Sequence, residues 1–346
     1  MAPSLSRAED GRKARPWVSA AVPAPLMEVR HLSIDYIGLE KTHLKAVEDV
    51  SFTLHESEML GLVGESGCGK TTLMLALLHL LPVAGRIVSG QILFQGRDLL
   101  ALNENEINKV RWRDIAMIFQ GAMNALNPVT SVGDQIAEAI QRHTPIADRK
   151  ALHARVAQLL DLVGITGSRA GQYPFQFSGG MRQRAMIAMA LACNPKILIA
   201  DEPTTALDVM IQAQILELLQ GLRRQLGQAI ILVTHDLGVI AEVCDNVLVM
   251  YGGVTAEYAT VDTIYNSPVH PYTQDLIRAF PDLSNPHDKL ASIPGYPPRL
   301  DQLPAGCRFA PRCRLAFERC QHEQPRLYEL DNHGHQASCF LVESGV

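Results

Sequence analysis

A glycine-rich segment between two apolar runs constrains the fold more than any other feature. Residues 64–71 read Gly-Glu-Ser-Gly-Cys-Gly-Lys-Thr, Glu58–Val63 is typical of a short buried strand, and an apolar helix is predicted from Leu73 onwards. A strand, the pattern G-x-x-x-x-G-K-[ST] and a helix form a phosphate-binding loop, whose backbone N–H groups surround an anion. An ordinary glycine-rich turn is the alternative, which the flanking elements disfavour. The segment predicts that the protein binds a nucleoside triphosphate.

Each position of this loop has a predicted task. Lys70 reaches the outer phosphates, and the Thr71 hydroxyl is placed to hold Mg²⁺. We therefore expect ATP and Mg²⁺ as ligands. The residues predicted to contact the nucleotide here are Gly64, Glu65, Ser66, Gly67, Cys68, Gly69, Lys70, Thr71 and Thr72.

Composition narrows the class of protein. The chain has 346 residues, 47% of them hydrophobic and 19% charged, which is enough for one large domain with an appendage or for two medium domains. A net charge of −5 makes nucleic acid an unexpected partner. Membrane-spanning helices are not expected, because no apolar run reaches the length that they need. Residues 1–25 are predicted to be a disordered tail and not a secretory signal.

Apolar periodicity predicts an α/β fold with a mainly parallel sheet, preceded by an antiparallel portion. The predicted strands are Leu26–Tyr36, Val50–Leu54, Gly90–Gly96, Ile115–Phe119, Lys196–Ala200 and Ala229–Val233, with a hairpin over 247–258. The predicted helices are Ser131–Arg142, Asp148–Val163, Val209–Leu226 and one that begins at 178–180. After about Ala259 prolines accumulate, which we interpret as an appended region.

Two carboxylates follow a buried strand. Ile197–Ala200 delivers Asp201 and Glu202 to the end of the strand, where open α/β sheets place their ligands. Asp201 is predicted to orient Mg²⁺ through water, and Glu202 to act as the general base on the attacking water.

A second anion-binding element precedes these carboxylates. Ser178, Gly179 and Gly180 begin a helix, so backbone N–H groups, a hydroxyl and a helix dipole point the same way. The loop at 64–71 already binds the γ-phosphate, so the same nucleotide does not need a second anion-binding element from the same chain. We therefore expect this loop to serve a nucleotide that is bound by another subunit.

With these motifs in this order, the chain resembles the ATP-binding cassette (ABC) superfamily from residue 26 to its end. The resemblance makes Gly64–Thr71 the Walker A motif, Phe177–Arg184 the signature motif and Ile197–Glu202 the Walker B motif. It implies that His235 is a catalytic switch histidine that bonds the γ-phosphate. It also implies that Gln120 contacts Mg²⁺ and the membrane partner, that Tyr36 stacks on adenine, and that residues 206–208 form a D-loop ending in Asp208.

The subfamily that the chain most resembles is the ATPase subunits of oligopeptide and dipeptide importers. The resemblance is carried by Gly-Glu-Ser-Gly in the loop, by 119–128, by 178–184, by His270-Pro-Tyr-Thr273 and by the cysteine-bearing tail. Cys68 departs from the usual serine, and Gly121-Ala122 from the commoner Asp-Pro. The Cys68 change should be tolerated because backbone amides bind the phosphates.

The resemblance implies a division into domains and a set of partners. It divides the chain into a nucleotide-binding domain (26–258) with a helical subdomain (about 125–185) and a C-terminal extension (259–346). Expected partners are a second, often non-identical ATPase subunit, two transmembrane permease subunits and an extracytoplasmic substrate-binding protein. The protein would then act at the cytoplasmic face of the membrane, where peptides, nickel or short sugars remain open as the solute. A soluble ABC ATPase of translation or DNA repair is the alternative.

Four cysteines crowd the C-terminal residues. The spacing Cys307-x₅-Cys313-x₆-Cys320-x₁₈-Cys339 offers four thiolates, the number that suits a [4Fe–4S] cluster or a Cys₄ zinc site. The resemblance to peptide-importer ATPases implies the [4Fe–4S] cluster; zinc and no metal stay open.

Overall fold

A computed structural model of the chain describes residues 24–38, 42–121, 125–144, 148–205, 207–279, 293–331 and 334–343. The predicted tail up to residue 23, together with Ala122 and Ala206, lies outside these residues. The strands are β1 (Met27–Ile37), β2 (His43–Leu54), β3 (Met59–Val63), β4 (Gly85–Phe94), β5 (Arg97–Asp98), β6 (Ile115–Ile118), β7 (Ile197–Asp201), β8 (Ala229–Val233), β9 (Asn246–Tyr251), β10 (Val254–Thr260), β11 (Tyr328–Glu329) and β12 (Gln336–Ala337). The helices are α1 (Lys70–Leu77), α2 (Glu104–Val110), α3 (Val132–His143), α4 (Arg149–Leu162), α5 (Gly179–Ala190), α6 (Val209–Leu226), α7 (Leu237–Val243), α8 (Val261–Asn266), α9 (Pro271–Arg278), α10 (Glu318–His322) and α11 (Phe340–Glu343).

Two sheets organise the described residues. The smaller is antiparallel with the strand order β2-β1-β4-β5, and the larger has the order β11-β12-β10-β9-β3-β8-β7-β6. In the larger sheet β9, β3, β8, β7 and β6 run parallel. The predicted α/β architecture, with an antiparallel portion near the N-terminus, is confirmed.

The central strands are buried on both faces, which explains their uninterrupted apolar sequences. Every residue of β3, β7 and β8 is buried. Because these strands are parallel, their carboxyl ends lie along one edge of the sheet. The segments after β3, β6, β7 and β8 therefore meet at this edge, and all of them carry predicted site residues.

Helices α3, α4 and α5 pack on one another beside the sheet. Ser131, Asp148 and Ser178 cap their N-termini with side-chain oxygens. Helix α4 ends at Leu162 and is followed by Gly164, where φ is +75°; Ile165 N donates to Leu160 O, as in a Schellman motif. Arg184 of α5 donates to Val163 O at 2.9 Å, which joins the end of α4 to α5.

The C-terminal residues add strands to the larger sheet. Strand β12 pairs with β10 through Glu257 and Tyr258, and β11 pairs with β12. Tyr272 and Phe309 are buried in the same apolar cluster as the strands β9 and β10. The residues that follow β10 are thus packed directly against the elements that carry the phosphate-binding loop.

Candidate functional site

The phosphate-binding loop joins β3 to α1 and is shaped by its glycines. Gly64 has a φ of +148°, and a Cβ there would lie 2.2 Å from Met250 O. Lys70 is buried; its Nζ donates to Gly64 O at 2.7 Å and to Glu65 O at 3.1 Å. A third contact, to Cys68 Sγ at 3.6 Å, engages the last N–H of the ammonium. The lysine is therefore fixed inside the loop, and the weak contact with sulfur is the one that a phosphate oxygen would replace.

Cys68, the departure from serine, is 1% exposed. Burial raises the pKa of its thiol above the ordinary value, with Lys70 opposing the shift. The thiol is thus a small apolar side chain packed under the loop.

Asp201 ends β7 as a buried carboxylate. It is 1% exposed, and neither oxygen makes a hydrogen bond of ordinary length and angle. Burial raises its pKa, while the nearby Thr71 hydroxyl and Lys70 stabilise the ionised form. A buried carboxylate whose oxygens make no regular hydrogen bond, beside a threonine hydroxyl, offers the hard oxygen ligands that Mg²⁺ prefers.

Glu202, Gln120 and His235 converge from three neighbouring strand ends. Gln120 Nε2 donates to Glu202 Oε2 at 2.8 Å, and His235 Nδ1 lies 3.6 Å from Glu202 Oε1. Thr205 Oγ1 also donates to Oε2, at 2.9 Å. The backbone of Glu202 has a φ of +46°, a conformation that is costly for a non-glycine residue and concentrates at functional sites.

The remaining predicted nucleotide contacts lie on other elements. Tyr36 OH is 3.2 Å from Thr72 Oγ1, so the predicted adenine-stacking residue lies against α1. Ser178 and Asp208 cap α5 and α6 and accept from Met181 N and Ile211 N, respectively. Gly180 faces Ile211, because a Cβ there would lie 2.7 Å from Ile211 Cγ2. The first turns of α5 and α6 are thus neighbours.

Two residues that we did not predict as site residues, Arg312 and Tyr272, contact Glu65 of the phosphate-binding loop. Arg312 makes a two-point contact with the Glu65 carboxylate, at 2.6 and 3.0 Å, and Tyr272 OH accepts from Glu65 N at 3.0 Å. Burial alone would lower the Arg312 pKa, but hydrogen bonds to Glu65 and Tyr251 raise it overall. The sequence signal for Tyr272 was the His-Pro-Tyr-Thr segment.

A second arginine between β10 and β11, Arg308, is connected to the phosphate-binding loop through the turn between β9 and β10. Arg308 bonds the Gly252 carbonyl and Glu48. The next residue, Gly253, donates its N–H to Cys68 O at 3.0 Å. The turn between β9 and β10 thus connects Arg308 to the loop.

The four C-terminal cysteines are free thiols and half-buried. Burial raises the pKa of Cys307 and of Cys339 to about 11, and the thiols of Cys307, Cys313 and Cys320 add to the shift at Cys339. Within the described ranges, no group of three or more His, Cys, Asp or Glu side chains is arranged to hold a metal ion. This finding does not support the iron–sulfur assignment.

The fold and the site together define a P-loop nucleoside triphosphatase. Residues 47–205 match the ABC transporter family, and residues 256–320 match the C-terminal region of oligopeptide/dipeptide transporters. The oligopeptide transport ATP-binding protein OppD of Haemophilus influenzae is 47% identical over 319 residues, which cover 92% of this chain and 97% of OppD. AppD of Bacillus subtilis, also an oligopeptide transport ATP-binding protein, is 46% identical over 323 residues, with 92% and 97% covered. The chain belongs to the ABC transporter family and is an ABC-type ATPase.

Solved structures agree with this membership. The MJ0796 cassette dimer, a post-hydrolysis state bound to ADP and Pi, superposes with a TM-score of 0.61 at 25% identity over 68% of this chain and 98% of that one. The cbiO1 cassette of Clostridium perfringens gives 0.61 at 28% identity over 70% and 91%. Among the described helices, none combines the length and the apolar character that crossing a lipid bilayer requires.

Proposed function

We propose that this chain is the motor subunit of an importer for di- or oligopeptides and that it couples ATP hydrolysis to uptake through permease subunits. The observation that carries the proposal is the meeting of Gln120, Glu202 and His235 beside the phosphate-binding loop, in a chain whose 256–320 match the peptide-transporter C-terminal region. The relatives named above are oligopeptide transport proteins. A role in translation or DNA repair has no comparable support.

Each side chain has a proposed role in hydrolysis. Lys70 and the amides of 64–69 bind the phosphates, and Glu202 takes the proton of the attacking water. His235, 3.6 Å from Glu202, bonds the γ-phosphate and holds that water in line. Thr71, Asp201 and Gln120 would hold Mg²⁺, which neutralises charge on the phosphates.

The nucleotide is shared between two ATPase subunits in this proposal. The Ser178–Gly180 turn and Asp208 of one subunit complete the site of the facing subunit. Support comes from the exposed helix N-terminus at Ser178, which can accept an anion, and from the dimeric state of the MJ0796 cassette. Adenine stacks on Tyr36 of the subunit that supplies the phosphate-binding loop.

An apolar groove beside Gln120 is the proposed permease contact. It measures about 360 Å³, lies between β6 and α5, and is lined by Leu78, Leu80, Trp112, Met117, Phe119 and Met189, among others. Phe119 is 43% exposed and directly precedes Gln120. A helix of the permease seated here would sense movement of Gln120, and the subunit would sit at the cytoplasmic face of the membrane. A separate extracytoplasmic binding protein would supply the solute.

We also propose a division into a nucleotide-binding domain (26–258), with a helical subdomain at about 125–185, and a C-terminal extension (259–346).

Within this extension, we propose that a [4Fe–4S] cluster is held by four cysteines, namely Cys307, Cys313, Cys320 and Cys339. The support for this proposal is the number of cysteines in one segment, since a [4Fe–4S] cluster is held by four thiolates. Such a cluster would cross-link four points of the extension. Anaerobically purified protein should contain about four irons per chain, and iron-free protein would refute the assignment.

The decisive experiment joins hydrolysis to transport. The complete transporter is reconstituted in vesicles with wild-type, Glu202→Gln or Glu217→Gln subunits; Glu217 is an exposed glutamate of α6. Loss of a general base should lower ATP turnover and uptake of a labelled peptide by about 10²–10⁴-fold. ATP binding should persist, and Glu217→Gln should behave as wild type. Undiminished turnover in Glu202→Gln would refute the assignment of Glu202 as the general base. Uptake of Ni²⁺ or of a trisaccharide instead of the peptide would refute the assignment of peptides as the transported solute.

A further inference from the structure

A buried arginine from outside the cassette motifs restrains the phosphate-binding loop. The Arg312 side chain is 6% exposed, and its two terminal nitrogens donate to the two oxygens of Glu65, at 2.6 and 3.0 Å. A two-point contact fixes both the position and the direction of the carboxylate. Glu65 is thereby held by a residue 247 positions away in sequence.

Glu65 is restrained through its backbone as well. Its N–H donates to Tyr272 OH at 3.0 Å, and its carbonyl accepts from Lys70 at 3.1 Å. The side chain, amide and carbonyl of the second loop residue thus each have a defined partner. Such contacts reduce the conformational freedom that the loop would lose when it binds phosphates.

The charge of Glu65 is unfavourable beside a polyanion, and Arg312 neutralises it. The guanidinium is also held by Tyr251 OH of β9, at 3.1 Å, and by the C-terminal Pro294 O, at 2.7 Å. The carboxylate is consequently drawn toward the C-terminal segment and stays paired. Without Arg312, an uncompensated negative charge would remain next to the phosphate site.

We propose that Arg312 is a positioning residue for ATP binding, which acts through Glu65 by cancelling its charge and fixing the start of the phosphate-binding loop. The inference rests on the ATP site proposed above. It extends that site to a residue outside 47–205, the part of the chain that matches the ABC transporter family.

A double-mutant cycle tests the inference in the purified full-length chain. ATP affinity, with Mg²⁺ present, is measured by calorimetry for wild type, Arg312→Gln, Glu65→Gln and the double variant. Arg312→Gln should weaken ATP binding about tenfold, as one uncompensated charge predicts. In the Glu65→Gln background the same change should cost less than about threefold, since no charge is left to compensate. Arg299→Gln removes an exposed arginine paired with Asp301 and should leave the affinity within about twofold.

Equal weakening in both backgrounds, or no weakening in either, would overturn the inference. The first result would make Arg312 a structural anchor only. In the assembled transporter, KM for ATP should rise with Arg312→Gln while kcat stays within about threefold; a fall in kcat alone would also overturn it. If Arg312→Gln does not fold, Arg312→Met, which also removes the charge but packs better in a buried position, takes its place in the cycle with the same expected loss. A wild-type chain that does not bind ATP would instead refute the ATP site itself.

Discussion

His270 gives the C-terminal packing a pH dependence that can be calculated. The side chain caps α9, where its Nδ1 accepts from Tyr272 N at 3.0 Å, and it is 4% exposed. Burial lowers its pKa from 6.5 to about 4, with the Ser338 backbone only partly opposing the shift. The folded chain therefore keeps this imidazole neutral at pH values where an unfolded chain protonates it.

The sign and size of the effect follow from linkage. Between pH 6.5 and 4 the unfolded state binds more protons, so the stability contributed by neutral His270 is complete above pH 6.5 and is lost as the pH falls. From pH 7.5 to 5.0 the loss amounts to about 2 kcal/mol for this one group.

The matched variant is His270→Asn, which keeps an acceptor for the Tyr272 N–H and does not titrate. Urea unfolding of both full-length chains is followed at pH 7.5, 6.5, 5.5 and 5.0, and midpoints and slopes are compared. Wild type should lose about 2 kcal/mol more than the variant over this range. The same pH dependence in both chains would refute the reasoning.

Three further perturbations test the site. Gly64→Ala places a Cβ 2.2 Å from Met250 O and should abolish measurable ATP binding by calorimetry, whereas Gly96→Ala, also at positive φ but facing open space, should retain it; retained binding in Gly64→Ala would contradict the loop geometry. Met189→Glu puts a charge into the groove between β6 and α5 and should prevent co-purification with the permeases while ATP affinity stays within about twofold; intact assembly would exclude the groove as the contact. Gly180→Val pushes against Ile211 and should block the ATP-dependent dimer, measured by light scattering, without loss of ATP binding by the monomer; normal dimerisation would argue against the shared site.

Elements with a complete local signal were predictable from the sequence. Helix α6 and strand β8 match the predicted residues, because an amphipathic run stops at Gly227, with a φ of +67°, and five apolar residues follow. The predicted strand Gly90–Gly96 was wrong at its start, since β4 begins at Gly85. Gly90 lies inside the strand, where a shift in the β1–β4 register brings Leu32 Cα within 2.6 Å of where its Cβ would be.

The catalytic side chains at the edge of the sheet were predictable because each has a local sequence signal. The contacts that support the phosphate-binding loop were not predictable. Asp201, Glu202 and His235 follow apolar strands, so their meeting at one sheet edge follows from parallel pairing. Arg312 and Glu65 meet only through tertiary packing, and no local pattern relates them.

The short helices were not predicted from the sequence. Helices α7, α8 and α9 have eight residues or fewer, which is too short for a clear apolar period.

The pairing of β12 with β10 has a practical consequence for anyone who wishes to shorten this protein. A fragment that stops at residue 260 would leave the backbone of Glu257 and Tyr258 unpaired along the rim of the central sheet. Such a rim recruits strands from other molecules, so the fragment should form aggregates or exchange segments between copies. Isolated cassettes made by truncation would then report on self-association instead of on nucleotide chemistry.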